Sequence, residues 1–350
     1  MKKQRAVIAG ALAMALHGAS FAADTPAKAA KPEGLPLWAW GVTTPPPNNL
    51  PGEIAPAGAP GSPTAPRAAV TETPKVSIEG AIAQFSRSQV NNAFGPADWF
   101  PGDHPPMPRI VSHGREDANI FACALCHMPN GKGRPENANV IGLPYDYFMR
   151  QMLDFAAGHR KTSDSRKTNT GLMIHFAQQM TREEMEEAAR YFTSIPSTPW
   201  IKVVEGDTVP KTEARGGVFH TIVGEKAGTE PIGNRIIETP ISSEQFELRN
   251  PRVGFIAYVP TGSLKKGEAL VTTGGGKVTA CTVCHGADLR GLGPVPTIAG
   301  RSPSYVGRQL YDMKVGNRIG PWMPMMAPVV SQLTNDDILI ISAYLASLDP

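Results

Sequence analysis

All four cysteines of this 350-residue chain lie in two Cys-x-x-Cys-His pentapeptides, at residues 123–127 and 281–285. Two thiols at this spacing can bond the two vinyl groups of one porphyrin, while the histidine that follows turns beneath the iron. Each motif therefore predicts one covalently attached haem c with the histidine as its proximal ligand. The predicted residues are Cys123, Cys126 and His127 at the first site and Cys281, Cys284 and His285 at the second.

Paired cysteines have two other common uses. Four thiolates can bind one zinc ion, and neighbouring thiols can form local disulfides. The histidine in both motifs, with no cysteine left over, favours two covalent haem groups over either alternative.

An internal repeat surrounds the two motifs. When His127 is aligned with His285, the next 33 residues align without a gap, and nine of the 34 positions are identical. After an insertion of five residues in the first copy, the register returns at Thr181 and Thr334. The sequence therefore predicts two copies of one domain. The identical pairs are His127/His285, Gly133/Gly291, Gly142/Gly300, Tyr147/Tyr305, Arg150/Arg308, Gln151/Gln309, Asp154/Asp312, Gly158/Gly316 and Arg160/Arg318.

Each copy predicts a small α-helical unit whose core is largely the porphyrin. One helix is predicted over Tyr147–Phe155 and, in the second copy, over Tyr305–Met313. A last helix begins after Thr181 and after Thr334, each followed three residues later by an acidic side chain, as in a capping box.

The second axial ligand of each iron is predicted to be a methionine between the middle and last helices, as in electron-transfer cytochromes. The repeat favours Met173 and Met326, because they lie seven residues before the equivalent positions Met180 and Leu333.

Two alternatives to these methionines remain open. Met325 competes with Met326 at the second iron, since the two are adjacent. His175 competes with Met173 at the first iron, where bis-histidine ligation would lower the reduction potential relative to His/Met.

Two pairs of repeated side chains are candidates for further haem contacts. Arg150 and Arg308 can pair with a propionate, and Tyr147 and Tyr305 can hydrogen-bond a propionate or pack on the ring. Arg160 and Arg318 recur in the same way. A solvated arginine on a helix surface is the alternative.

The start of the chain has the pattern of an export signal. Lys2, Lys3 and Arg5 precede an apolar run over residues 6–16 and a small-residue site ending at Ala22. The run is too short to cross about 30 Å of hydrocarbon as a helix. We expect a signal peptide over 1–22, cleaved near Ala22, a periplasmic mature protein and no transmembrane segment in it.

Composition excludes one class of partner. The formal net charge of +3 includes three cations of residues 1–22, so the remaining chain carries 31 basic and 31 acidic side chains. This balance lacks the basic footprint of a nucleic-acid-binding protein.

The segments outside the repeat are rich in proline and glycine. Residues 23–75 predict a Pro/Ala-rich extended tail, in which Trp38 and Trp40 are apolar enough to dock on this protein or on a partner. Residues 76–105 predict an arm packed on the first haem domain. Residues 198–258 predict a connector with short strands, which we expect to wrap around the second domain.

These motifs together resemble the class I cytochromes c, specifically the tandem dihaem cytochromes of the c4 kind. Matching pieces are the run 300–310, Met325-Met-Ala-Pro-Val and the last helix. The resemblance implies a mainly α fold with domains over 106–197 and 259–350 and two six-coordinate haems. The first copy departs from the family in having Ala138 where the second has Pro296, so we expect its proximal histidine to be held differently.

Iron with both axial positions filled by protein has no open position for a substrate, so the chemistry implied is outer-sphere electron transfer. We expect a non-enzymatic relay between a donor, a dehydrogenase or quinol-oxidising complex, and an acceptor, a terminal oxidase or reductase. The alternatives are a dihaem peroxidase or oxidase with a labile distal ligand on the first haem, and an electron-transfer subunit of a larger dehydrogenase.

Overall fold

The computed structural model describes residues 33–43, 74–215, 219–224 and 227–350. The predicted signal peptide and most of the predicted tail lie outside these ranges. The described chain is mostly helical, with some short strands between the two halves of the repeat. None of its helices combines the length and hydrophobicity that a membrane span requires.

The described helices follow the repeat. The α-helices are α1 (Arg87–Val90), α2 (Arg109–Ser112), α3 (Cys123–His127), α4 (Tyr145–Ala156), α5 (Asn169–Gln179), α6 (Arg182–Ser194), α7 (Ser243–Glu247), α8 (Ser263–Thr273), α9 (Cys281–His285), α10 (Pro303–Lys314), α11 (Met323–Val330) and α12 (Asn335–Ser347). Short 3-10 helices cover Leu37–Trp40, Glu116–Ala118 and Gly274–Gly276.

The predicted helices of each copy are present. Those predicted after the haem motifs lie within α4 and α10. The last helices, α6 and α12, begin with complete capping boxes, in which Thr181 and Thr334 accept a hydrogen bond from the backbone N–H three residues on. These caps satisfy backbone donors that would otherwise lack a partner at the helix start.

Two apolar clusters form the main cores. The first joins α2, α3, α4, α5 and α6, with Phe192 almost completely buried. The second joins α8, α10, α11 and α12, with Ile338 and Leu333 at its centre. Each cluster surrounds one haem motif, as the repeat predicts.

Residues 33–43 correct the expectation of an extended tail. They form an ordered segment in which Trp40 is buried in the second core and its Nε1 donates to Thr162 Oγ1 at 3.1 Å. The rings of Trp40 and Tyr311 pack edge to face at 5.7 Å. The two tryptophans dock on this protein, because burying an indole removes a large apolar area from water.

The connector contains the described strands. They are β1 (Ile201–Gly206), β2 (Thr208–Pro210), β3 (Thr212–Arg215), β4 (Phe219–Ile222), β5 (Thr229–Pro231), β6 (Ile237–Pro240) and β7 (Phe255–Pro260). The main sheet has the order β1-β7-β6, with β1 and β7 parallel, and two further pairs join β2 to β5 and β3 to β4. Its apolar face packs on α12 through Ala257, Val259, Leu339 and Ala343.

The connector also covers the first copy, which differs from the expected wrap around the second domain alone. Arg134 donates to the Phe246 carbonyl, Asn130 donates to the Pro251 carbonyl, and Arg249 donates to the Leu125 carbonyl. Two carbonyls of the connector thus accept hydrogen bonds from the first copy, and one connector arginine donates to a carbonyl within the first haem motif, so backbone acceptors on both sides of this contact are satisfied.

The arm before the first copy has its own small core. Trp99 is buried there, and its Nε1 donates to the Leu248 carbonyl of the connector at 2.8 Å. The arm reaches the first copy through the edge-to-face pair Phe94 and Phe121, and through His104 against Tyr191. The arm therefore contacts the first copy through aromatic side chains.

Candidate haem-binding sites

The attachment residues of both sites lie on single helical turns, α3 and α9. Residues three apart on a helix share a face, so the two thiols of each motif point to the same side. None of the four cysteines forms a disulfide. Among the described residues, no group of three or more His, Cys, Asp and Glu side chains is arranged to hold a metal ion.

The two proximal histidines are held in the same way. His127 Nδ1 lies 2.8 Å from the Ala138 carbonyl oxygen, and His285 Nδ1 lies 2.8 Å from that of Pro296. A hydrogen bond to Nδ1 leaves Nε2 as the free ligand atom and fixes the plane of the ring. The expectation that Ala138 changes this arrangement is wrong, because the acceptor is a backbone carbonyl, which alanine and proline both possess.

Burial keeps both rings in the form that binds iron. Desolvation lowers the pKa of His127 and of His285, so the neutral imidazole is favoured at pH 7.

A glycine six residues after each haem-motif histidine lets the chain bring the accepting carbonyl close to the histidine ring. Gly133 and Gly291 have φ of 69° and 96°, and each donates its N–H to the carbonyl of the haem-motif histidine. A Cβ at Gly133 would lie 2.5 Å from the Ala138 oxygen, and one at Gly291 would lie 2.6 Å from the Val295 oxygen. Only glycine fits here, which explains the repeat of this pair.

A large cavity opens beside the first motif. It holds about 1340 Å³ of free space, counted to its open mouth, and Cys123, Cys126 and His127 lie in its wall. The rest of the wall is mostly apolar and comes from α4, α5 and α6, including Phe148, Met152, Phe155, Leu172, Phe176, Met180 and Phe192. A porphyrin, a flat apolar ring, fits such a wall.

The polar part of the wall also fits a haem. It contains four cationic side chains and two acidic ones, an excess of positive charge that two propionates would balance. These side chains are Arg160, Lys161, Lys167, Arg308, Glu136 and Asp312.

The helix α5 presents Met173 to the cavity and turns His175 elsewhere. Met173 lies in the cavity wall with Leu172 and Phe176, whereas His175 is not part of that wall. Residues two positions apart on an α-helix, such as Met173 and His175, point about 200° apart, so both side chains cannot face one ring. The His175 ring instead packs against Phe176 with centroids 5.8 Å apart.

At the second site, Met326 is half-buried and packs against the second core. Its neighbour Met325 is 65 % exposed. Both lie on α11, where consecutive residues point about 100° apart. The burial of Met326 supports its assignment over Met325.

Comparison with known proteins agrees with this geometry. The family model for cytochrome c matches residues 264–349. Cytochrome c4 from Stutzerimonas stutzeri is 31% identical over 147 residues, which cover 35% of this chain and 68% of that protein. The chain belongs to the cytochrome c4 family of class I c-type cytochromes.

Two further similarities cover about two thirds of this chain. The thiosulfate dehydrogenase electron acceptor of Stutzerimonas stutzeri strain A1501 is 31% identical over 243 residues, covering 69% of this chain and 85% of that protein. The crystal structure of reduced recombinant cytochrome c4 from Pseudomonas stutzeri covers 67% of this chain and 97% of that one, with 21% identity and a TM-score of 0.43. As a c4-type cytochrome, this chain binds haem c covalently and transfers electrons.

The repeated tyrosines and arginines of this cytochrome meet between the two copies. Arg160 Nη2 donates to Tyr305 Oη at 3.1 Å, and Arg318 Nη2 donates to Tyr147 Oη at 2.7 Å. The backbones at Arg160 and Arg318 pair as an antiparallel bridge. The two copies thus exchange identical contacts across a local twofold arrangement.

The repeated glutamines complete this interface. Arg160 also donates to Gln309, at 2.8 Å, and Arg318 donates to Gln151, at 2.8 Å. A buried hydrogen bond to a charged group contributes about 1.5–3 kcal/mol, so the network stabilises one relative orientation of the copies.

The two candidate arginines of the repeat have different surroundings. Arg308 lies in the cavity wall of the first site, although it belongs to the second copy, and donates to the Ala39 and Pro135 carbonyls. Arg150 forms an ion pair with Asp154 at 3.0 Å and does not line that cavity. Tyr147 and Tyr305 both line it. Identical residues therefore have different roles, since arm, insertion and connector are not repeated.

The two attachment motifs also differ in exposure. Leu125 is 8 % exposed beneath the connector, whereas the equivalent Val283 is 65 % exposed. Arg134 is 9 % exposed, and the equivalent Leu292 is 64 % exposed. The second motif therefore exposes apolar side chains where the first is covered, and we call the exposed residues Val283, Leu292 and Met325 the Leu292 face.

Several wall residues of the first site escaped the sequence analysis. The repeat marks Gln151, Gln309 and Asp312 only as identical positions, and no sequence motif marks Glu136 or Lys167. A signal for the interface was present, because Tyr147, Gln151 and Asp154 follow a helical spacing and share one face of α4.

Proposed function

We propose that this chain is a periplasmic dihaem carrier that relays single electrons between a donor and an acceptor protein. One haem c would be attached at Cys123 and Cys126 with His127 and Met173 as axial residues. The other would be attached at Cys281 and Cys284, with His285 and Met326. The observation that carries this proposal is the matched pair of histidines, each with Nδ1 bound by a backbone carbonyl, in two copies joined through one interface.

Haem c supplies one-electron exchange at its iron when bound. The residues of this chain hold and orient it: the thiols anchor the ring, the histidine carbonyl contacts fix the proximal side, and the apolar wall excludes water. Arg160 and Arg318 hold the two copies in a fixed relation, which favours electron exchange between the sites without a rearrangement.

The rival function is a haem enzyme with an open or labile distal position at the first iron. The ferric absorption spectrum of the purified holoprotein at neutral pH, quantified per haem, separates the two. A carrier is expected to have two low-spin haems with the weak red iron–methionine charge-transfer band. A high-spin or ligand-exchangeable haem would contradict the carrier and favour the enzyme.

A second candidate function, the dedicated electron acceptor of a dehydrogenase, is favoured by the Leu292 face. Leu292 lies in the segment 291–300 and Met325 in the segment 319–333, and neither segment carries a charged side chain. An apolar surface of this kind is suited to a partner that binds by burying apolar area. The named relative, an electron acceptor of thiosulfate dehydrogenase, makes that enzyme the donor to test.

Leu292→Lys is expected to slow reduction of the holoprotein by a purified thiosulfate dehydrogenase at least tenfold, because a cation would have to be desolvated at the contact. The first copy carries Arg134 at the equivalent position, so a cation is compatible with this fold. Ile82→Lys, at a fully exposed position of the arm, is the matched control. Equal rates for both variants in stopped-flow measurements would exclude the Leu292 face as the contact.

A further inference from the structure

The insertion in the first copy brings a lysine into the first haem site. Between Arg160 and Met173 the first copy has 12 residues, whereas the second has seven between Arg318 and Met326. The longer segment contains Lys167, which lines the cavity, and the shorter one contains no lysine or arginine. The repeat therefore gives Lys167 no counterpart at the second site.

The Lys167 ammonium group has no protein partner within the described ranges. Its side chain makes no hydrogen bond or ion pair there, although its backbone N–H donates to the Asp164 carbonyl. Two acidic groups act on the Lys167 charge from nearby: Asp312, which accepts hydrogen bonds from Ser163, and Glu136, which pairs with Arg134 through one carboxylate oxygen while its other oxygen has no hydrogen-bond partner. The cations Arg308 and Arg160 face the same space.

An unpaired cation in such a place is costly. Burial lowers the pKa of Lys167 to about 7, and repulsion by the Arg308 cation contributes to this lowering to a smaller extent. A buried charge is tolerated in proteins when an opposite charge binds it. The cavity that Lys167 lines is the one that fits a haem, and the propionates are the anions that a haem carries.

We propose that Lys167 binds a propionate of the first haem and raises the reduction potential of that haem. This inference rests on the proposed haem at the first site. A cation beside the porphyrin favours the ferrous form, which carries one positive charge fewer than the ferric form. The insertion thereby gives the two haems of the repeat different electrostatic surroundings and different reduction potentials.

Lys167→Met tests this in the holoprotein, because methionine keeps most of the length and removes the charge. Spectroelectrochemical titration of the two haems is expected to show about a tenfold loss in the reduction equilibrium of the first haem, about 59 mV for one electron. Lys167→Arg is expected to keep the wild-type value. Lys266→Met, at an exposed position of α8, is the control for a general change of surface charge.

Haem content and the iron–methionine band are measured on the same samples. Two haems with an unchanged potential in Lys167→Met would overturn the role of Lys167 and leave the proposed carrier intact. A changed axial-ligand band would also overturn it, because Lys167 would then act at the iron. A wild-type protein without haem at the first site would refute both proposals.

Discussion

Replacing Cys123 and Cys126 together by alanine is expected to halve the covalent haem of the purified chain, from two groups to one. The two thiols lie in one wall of a cavity of about 1340 Å³, and much of the first apolar cluster faces it. Without the ring these side chains lose their packing partner. Single large-to-small core substitutions already cost about 3–5 kcal/mol, so we expect at least about 4 kcal/mol of lost stability in the first domain.

The pyridine haemochrome assay and intact-protein mass measure the haem, and thermal unfolding measures the stability. Cys281→Ala with Cys284→Ala is the matched variant, expected to remove the other haem. If either pair of substitutions left two covalent haems, the attachment assigned to that motif would be wrong.

Met173→Ala is expected to convert the first haem from low-spin to high-spin in the ferric state, with loss of about half of the iron–methionine band. Met173 lies on the cavity-facing side of α5, so its removal would leave the first iron without the proposed sixth ligand. The potential of that haem is expected to fall, because thioether ligation raises it.

Two control variants separate this role from packing. His175→Ala is expected to leave the spectrum unchanged, since that ring lies against Phe176 outside the cavity wall. Met152→Ala removes another methionine of the wall and is expected to lower stability without changing the spin state. Conversion to high spin by His175→Ala, with none by Met173→Ala, would reverse the assignment.

Local patterns were enough for the chemistry of attachment. The Cys-x-x-Cys-His motif is a single helical turn whatever surrounds it, and the capping boxes at Thr181 and Thr334 depend only on residues within one turn. The repeat likewise predicted the helices α4 and α10, since helix periodicity is a property of the segment itself.

Contacts between distant segments could not be predicted in this way. Tyr147 and Tyr305 were assigned to haem contacts one copy at a time, yet each accepts a hydrogen bond from an arginine of the other copy. Trp40 was placed in an extended tail, yet it is buried beside Tyr311. These partners lie far apart in the chain and meet only because their segments pack together, so local sequence patterns cannot identify them.

The sequence by itself thus determined the haem motifs, the two copies and their helices, because each depends on residue types at short spacing. Only the tertiary structure decided that the sites are unequal. The connector covers Leu125 and leaves Val283 open, and the insertion brings Lys167 to one cavity. The reason is physical: burial and charge around a site come from every segment that packs there, and the arm, insertion and connector pack differently on two copies of one domain.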